Sequence, residues 1–197
     1  MNILEKRILE EGRVLGDEVL KVDSFLNHQI DAELLYEVGR EFHRRFKDAG
    51  INKILTIEAS GIAVASMTAL FFHVPVVYAK KSDSVNVSKD RYRTEVFSFT
   101  HKKSFDVSVS KSFLKAGDHV LLVDDFLAEG CALRGLSDLV RQSGGEVVGA
   151  AIAIEKGFQK GGSSLRNEGL RIESMAIVDA LDTQNGCVHL RGGVEKE

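Results

Sequence analysis

The sequence predicts an α/β fold built on a mainly parallel sheet flanked by helices. Two observations carry this expectation. Near-continuous apolar runs such as KILTIE, HVLLVDD and EVVGAAIAIEK alternate with segments of helical period, and strands that are apolar on both faces belong in a parallel sheet covered on both sides. The chain also holds one proline, Pro75, with no Ser/Gly-rich linker and no internal repeat to divide it. Its 197 residues, 44% of them hydrophobic and 28% charged, suit one domain spanning 1–197 that hides roughly 70% of its unfolded surface.

Each element has its own local signal. The opening 25 residues read as a short amphipathic helix, then a mixed stretch in which Val14, Leu15, Val19, Leu20 and Val22 form a small apolar face, together an appendage to the main fold. A helix follows from an Asp31 N-cap to about Lys47, because Leu34, Leu35, Val38, Phe42 and Phe46 recur at three and four residues and Gly50 lies beyond the end. Next come a strand at 53–58, a helix at 61–73, a strand at 74–80, a polar stretch and an alternating strand at 105–110. The chain continues with strand 119–125, helix 131–145, strand 146–156 and a last strand at 171–179. Ligands of such sheets bind beyond the carboxyl ends of the strands, so Glu58, Lys80, Asp124 and Lys156 are expected at one edge.

Composition excludes several classes. With 26 Lys and Arg against 29 Asp and Glu, the net charge of −3 gives no general field for nucleic acid. The longest apolar stretch, 61–72, is interrupted by Ser66 and Thr68 and falls short of the roughly 20 residues that span a bilayer. The first residues alternate apolar with charged and do not read as a secretory signal. Cys131 and Cys187 make neither a CxxC pair nor a zinc ligand set. A cytoplasmic protein without nucleic-acid or membrane partners is expected.

The strongest chemical signal is VLLVDDFLAEGCALRGL at 120–136, an apolar strand ending in two carboxylates, with a short loop that opens into a helix. Backbone N–H groups of Ala128, Glu129, Gly130, Cys131 and Ala132 would serve a phosphate at the helix N-terminus. Gly130 lets the backbone approach without a side chain in the way. Asp124 and Asp125 sit too early to face that phosphate and are placed to accept hydrogen bonds from sugar hydroxyls, which makes the loop a reader of ribose 5-phosphate. Paired aspartates after a strand also serve as an N-cap or a Mg²⁺ site. Glu58-Ala59-Ser60-Gly61 forms a second strand-to-helix turn, either an ordinary N-cap or a second anion site.

These residues resemble the signature of type I phosphoribosyltransferases, through V-L-L-V-D-D-x-x-A-x-G-x-A. Beyond it, KVDSFLNHQID, TIEASGIAVA, VFSFT and AIEKGFQKGG are similar to the xanthine-using bacterial members of that family. The resemblance covers nearly the whole chain. It implies a parallel sheet with a hood made mainly by residues 1–30 and the C-terminal region, and transfer of ribose 5-phosphate from phosphoribosyl diphosphate (PRPP) to a purine. Mg²⁺ would be carried by PRPP or pyrophosphate, with no direct protein ligation to the metal, and a homodimer is expected.

Residue by residue, the resemblance implies that Asp124 and Asp125 are catalytic and that residues 128–132 hold PRPP. Ser60, Gly61, Lys80 and Lys81 would bind pyrophosphate, and Leu20, Asn27 and Lys156 the base, with xanthine favoured over guanine, hypoxanthine or adenine. The neighbouring Lys89, Arg91, Arg93, Lys102 and Lys103 form a basic, polar stretch that reads as a lid or a solvated loop. Two positions depart from the family. Glu129 stands where Thr or Ser is common, and a carboxylate about 4 Å from a phosphate charge at a dielectric near 20 would cost about 4 kcal/mol, so its side chain is expected to turn outward. Ala128 replaces an Asp that hypoxanthine–guanine enzymes keep near the purine. The competing reading, a PRPP-sensing regulator, calls for a DNA-binding domain for which the sequence has no room before its first core helix.

Overall fold

A computed structural model describes residues 1–16, 19–82, 90–98 and 103–192. Lys89, Lys102, Phe99 and Thr100, named above, lie outside them. The N-terminal helix α1 (Ile3–Glu11) is followed by a small antiparallel hairpin, β1 (Arg13–Leu15) and β2 (Val19–Lys21), and one π-helical turn at Asp23–Asn27. Then come α2 (Ala32–Phe46), β3 (Lys53–Ile57), α3 (Gly61–Phe72), β4 (Val76–Ser82), β5 (Arg91–Ser98) and β6 (Lys103–Ser110). The chain continues through β7 (His119–Leu127), α4 (Cys131–Ser143), β8 (Glu146–Lys156), α5 (Gly161–Asn167), β9 (Ile172–Asp182) and β10 (Cys187–Leu190).

Among the described residues one eight-stranded sheet runs in the order β10-β9-β8-β7-β3-β4-β6-β5. Its five central strands, β9 to β4 in that order, are parallel, whereas β10 and the β5–β6 pair join antiparallel. Antiparallel edges were not part of the sequence expectation. They arise because β5 and β6 are consecutive and return directly on each other, with Arg91 opposite Ser110 and Ser98 opposite Lys103.

Two apolar layers cover the sheet. One holds α1, α2 and α3, where the predicted stripe Leu34, Leu35, Val38, Phe42 and Phe46 is fully buried; burying each large side chain stabilises by about 1.5–3 kcal/mol. Asp31 caps α2 as expected, its carboxylate accepting from the Leu34 N–H at 3.0 Å. Gly39 permits the close α2–α3 crossing, since a Cβ there would lie 2.8 Å from the Met67 carbonyl oxygen. The other layer packs α4 through Leu133, Leu136, Leu139 and Val140 against β7, β8 and the β5–β6 hairpin.

Several expectations are corrected. Residues 91–98, read as part of a polar stretch, form a strand anchored on α4: Gly135 lies under Val96, and the Gln142 side chain bonds both the N–H and the carbonyl of Arg93. The N-terminal segment is no appendage, because Leu4, Ile8 and Leu9 share the core with α2 and the Asn2 amide donates to the Met175 carbonyl at 2.7 Å. Its apolar residues do not share one face: Leu20 and Val22 are buried, whereas Leu15 and Val19 are about half exposed. The helix expected to include His73 ends at Phe72, with His73 in the left-handed region at φ 55°. β10 and α5 were missed, the latter because two glycines open it.

Candidate active site

Because β3, β4, β7 and β8 are parallel, their carboxyl ends share one edge. Asp124 and Asp125 lie near the end of β7, only 5% and 8% exposed. Asp124 Oδ1 accepts from the Asp125 N–H at 3.0 Å, so this carboxyl does not cap α4. Burial, reinforced by the Asp125 charge, pushes the Asp124 carboxyl well above the usual carboxylate range, while the Lys81 ammonium pulls the other way. The N-terminus of α3 closes on the same group: a Cβ on Gly61 would fall 2.8 Å from Asp124 Oδ1 and closer still to the Thr56 hydroxyl. Glycine is required at this approach.

The loop from β7 into α4 has the form of an anion cradle. Gly130 occupies the N-cap in the left-handed region at φ 83°, and no side chain caps the first turn of α4. Its free N–H groups and positive dipole end therefore face outward from the loop. Helix α5 backs the loop so closely that Gly161 accommodates no Cβ, the nearest neighbours being the Ala128 carbonyl oxygen, the Glu129 carbonyl carbon and the Gly130 nitrogen. Arg166 ties α5 down with paired bonds of 2.6 and 2.7 Å to Glu155, whose side chain is 3% exposed. Burial pushes the Glu155 carboxyl up, but the bonds from Arg166 and Ser174 outweigh it and leave its pKa lowered.

A cleft of about 430 Å³ brings this loop together with Lys156, Gln159, Val19 and the hairpin residues Val96, Phe97 and Phe105. Ala128, Glu129, Gly130, Cys131 and Ala132 all line it. Glu129 is half-buried there and, with burial, helps raise the Cys131 thiol pKa. A larger cavity of about 610 Å³ lies against β4 and β6 and includes no residue of the loop.

The structure separates the paired lysines, since neighbours on a strand point to opposite faces. Lys81 acts on Asp124 and places its Nζ 5.2 Å from the Phe105 ring centre, whereas Lys80 lines the other cavity and lies 5.7 Å from the Tyr78 ring centre. Glu58 supports Lys81 by accepting from its N–H at 2.6 Å. Ser60 stands at the N-cap of α3 without a side-chain capping bond, leaving that helix end open too. Leu20 is buried in the core and Asn27 is exposed; neither lines the cleft, and Val19 does so instead. Sequence reasoning assigned no role to Gln159, Gly161, Gly162 or Arg166, although the first three lie in the AIEKGFQKGG stretch that carries the resemblance.

Among the described residues no three His, Cys, Asp or Glu side chains gather into a metal cage, and no helix is long and apolar enough to cross a membrane.

Comparison with known proteins places this geometry in a family. The model of the phosphoribosyl transferase domain matches residues 23–164. A xanthine phosphoribosyltransferase of Lachnoclostridium phytofermentans is 55% identical over 192 residues, covering 98% of this chain and 99% of that protein. One of Clostridium novyi is 55% identical over 188 residues, covering 95% and 98%. Among solved structures, the APRTase of Giardia lamblia complexed with 9-deazaadenine superposes with a TM-score of 0.75 at 21% identity, over 90% of this chain and 98% of that one. The adenine phosphoribosyltransferase of Rhodothermus marinus gives 0.72 at 22%, over 89% and 98%. With the open helix end after a strand that closes on two buried aspartates, the chain has the type I phosphoribosyltransferase fold and belongs to the phosphoribosyl transferase domain family.

Proposed function

We propose that this protein serves purine salvage by transferring the 5-phosphoribosyl group of PRPP to xanthine, giving XMP and pyrophosphate. The observation that carries the reading is one cleft in which an uncapped helix end, residues 128–132, lies with Lys156 at the end of the strand pair β7–β8; Asp124 and Asp125 precede it on β7, nearly buried and outside its lining. The relatives in the two clostridial species support xanthine as the acceptor.

The N–H groups of residues 128–132 hold the 5-phosphate and the aspartates take the ribose hydroxyls. Ser60, Gly61 and Lys81 receive the pyrophosphate end; Lys80, turned toward the other cavity, is the member of the expected set that would have to swing to reach it. The base lies between the hairpin aromatics and Lys156, whose ammonium donates to a purine carbonyl. Leu20, buried in the layer of α1 and α2, and Asn27, exposed outside the cleft, would reach the base only through movement of the N-terminal segment.

Burial makes ionisation of the Asp124 carboxyl costly at rest, and positive charge building at the ribose C1 would offset part of that cost. Asp124 thus favours the oxocarbenium-like transition state over the resting sugar. Positioning supplies the rest. The Asp124–Asp125 pair would face a Mg²⁺ ion carried on the diphosphate, which would offset charge on the leaving pyrophosphate. Exposed Tyr36 and Leu70 supply apolar surface for the expected homodimer, and the chain is assigned to the cytoplasm. Purified protein supplied with Mg²⁺, PRPP and each of xanthine, guanine, hypoxanthine and adenine tests the proposal through pyrophosphate release. Xanthine is expected to give the highest kcat/KM, and turnover confined to another base would overturn the choice of acceptor.

A further inference from the structure

Residues 156–159 form the tight turn between β8 and α5, closed by the Gln159 N–H donating to the Lys156 carbonyl at 3.0 Å. Both residues line the cleft beside the phosphate loop. Gln159 Oε1 is shut off from solvent and, among the described residues, accepts no hydrogen bond. Burying such an atom unpaired forfeits its hydration without return, and native structures rarely leave one without a donor. The other side-chain atom in this state, the Thr56 hydroxyl, faces the Gly61 approach rather than this turn.

We propose that Gln159 is a specificity-determining residue whose side-chain oxygen, turned out of its closed position into the cleft by rotation of the side chain, accepts a hydrogen bond from a ring N–H of the purine, beside the carbonyl to which Lys156 donates. This deepens the reading of the cleft as an oxopurine site and rests on it. An ammonium has donors and no acceptor, whereas a carboxamide oxygen supplies the acceptor. Side by side on one turn, the two match a lactam, H–N–C=O, which presents a donor and an acceptor on neighbouring atoms. Adenine presents the same functions in reversed positions, an amine where the carbonyl stands and a bare nitrogen where the N–H stands. Both protein groups then face the wrong partner, and a polar site that loses its pairing discriminates far more strongly than an apolar pocket does.

The test compares the full-length protein with Gln159→Met, which keeps length and removes the amide. Both are assayed with PRPP, Mg²⁺ and the four purine bases. For each lactam base that the wild type uses, kcat/KM is expected to fall about ten-fold or more, while the KM for PRPP stays within about two-fold. The Tm of the free variant should hold or rise, because a buried unpaired acceptor has been removed. An unchanged kcat/KM for the lactam bases, an equal loss for base and PRPP, or a lowered Tm would each overturn the assignment. Failure of the wild type itself on every lactam base would sink the oxopurine reading and the role of Gln159 with it. An active wild type matched by Gln159→Met sinks the role of Gln159 alone.

Discussion

Two turns of this protein share a local form and differ in what braces them. Residues 58–61 and 128–132 each leave a parallel strand and enter a helix whose first turn no side chain caps. The first is braced by polar side chains, with Glu58 fixing the Lys81 N–H and Gly61 pressed against Asp124 and Thr56. The second is braced from behind by backbone, with Gly161 of α5 seated against the Ala128 carbonyl and α5 itself pinned by the Glu155–Arg166 pair. A loop of fixed shape needs a rigid second layer, and here α5 supplies it to one turn only. The first turn instead lies directly against the Asp124 carboxyl, which also feels the Lys81 charge.

The largest effect is expected where that second layer is cut. Arg166→Met leaves Glu155 buried without its partner, and stability should fall by about 3–5 kcal/mol, read from denaturant unfolding. A loss below about 1 kcal/mol would show that α5 is held by packing instead. Next, Gly161→Ala places a Cβ against backbone that cannot yield. A displacement of about 1 Å at the loop costs about 100-fold, so kcat/KM for PRPP should drop by that order, with ribose 5-phosphate binding hit and pyrophosphate binding spared. Gly61→Ala should reverse the pattern in calorimetry; identical patterns would erase the distinction between the turns.

Asp124→Asn sharpens the electrostatic side of the comparison. The folded-state pKa of Asp124 is raised, so once the pH exceeds the ordinary value of 3.8 the folded chain retains a proton that the unfolded chain has lost. Stability therefore falls as pH rises through this window, up to the folded pKa. The amide removes that dependence. Near neutrality the variant should melt higher, by about 2–4 °C for each kcal/mol relieved, while kcat/KM for PRPP falls about ten-fold or more. Thermal scans at pH 5 and pH 8 check the sign, since the advantage of the variant must grow with pH. The smallest effect is expected at Glu129→Gln, where the KM for PRPP should stay within about three-fold if the backbone N–H is the contact. A large rise would show the carboxylate itself takes part.

The parts that could be read in advance are those with a local cause. The stripe of α2 and its Asp31 cap follow from the helical period and one hydrogen bond. The phosphate-loop motif is contiguous, so its strand, its two carboxylates and its glycine sit together in the chain before they sit together in space. Period-two alternation would also have parted Lys80 from Lys81, had 74–80 been extended to the observed end of β4 at Ser82. The β5–β6 hairpin was obscured because β5 mixes exposed polar residues with few buried ones, its place being settled by Gly135 and Gln142 of α4.

By itself, then, the sequence determined the sheet-and-helix alternation, the apolar stripe of α2 and the strand–loop–helix form of 120–136, because each depends on residues within a turn or two of one another. Only the tertiary structure decided that Gly161 backs the loop at 128–132, that Lys81 rather than Lys80 acts on Asp124, and that Gln159 joins Lys156 at the cleft. Those outcomes depend on which face of each strand meets which neighbour and on separations too small for a Cβ. Close packing between distant segments fixes such distances, and no local pattern of residues encodes them.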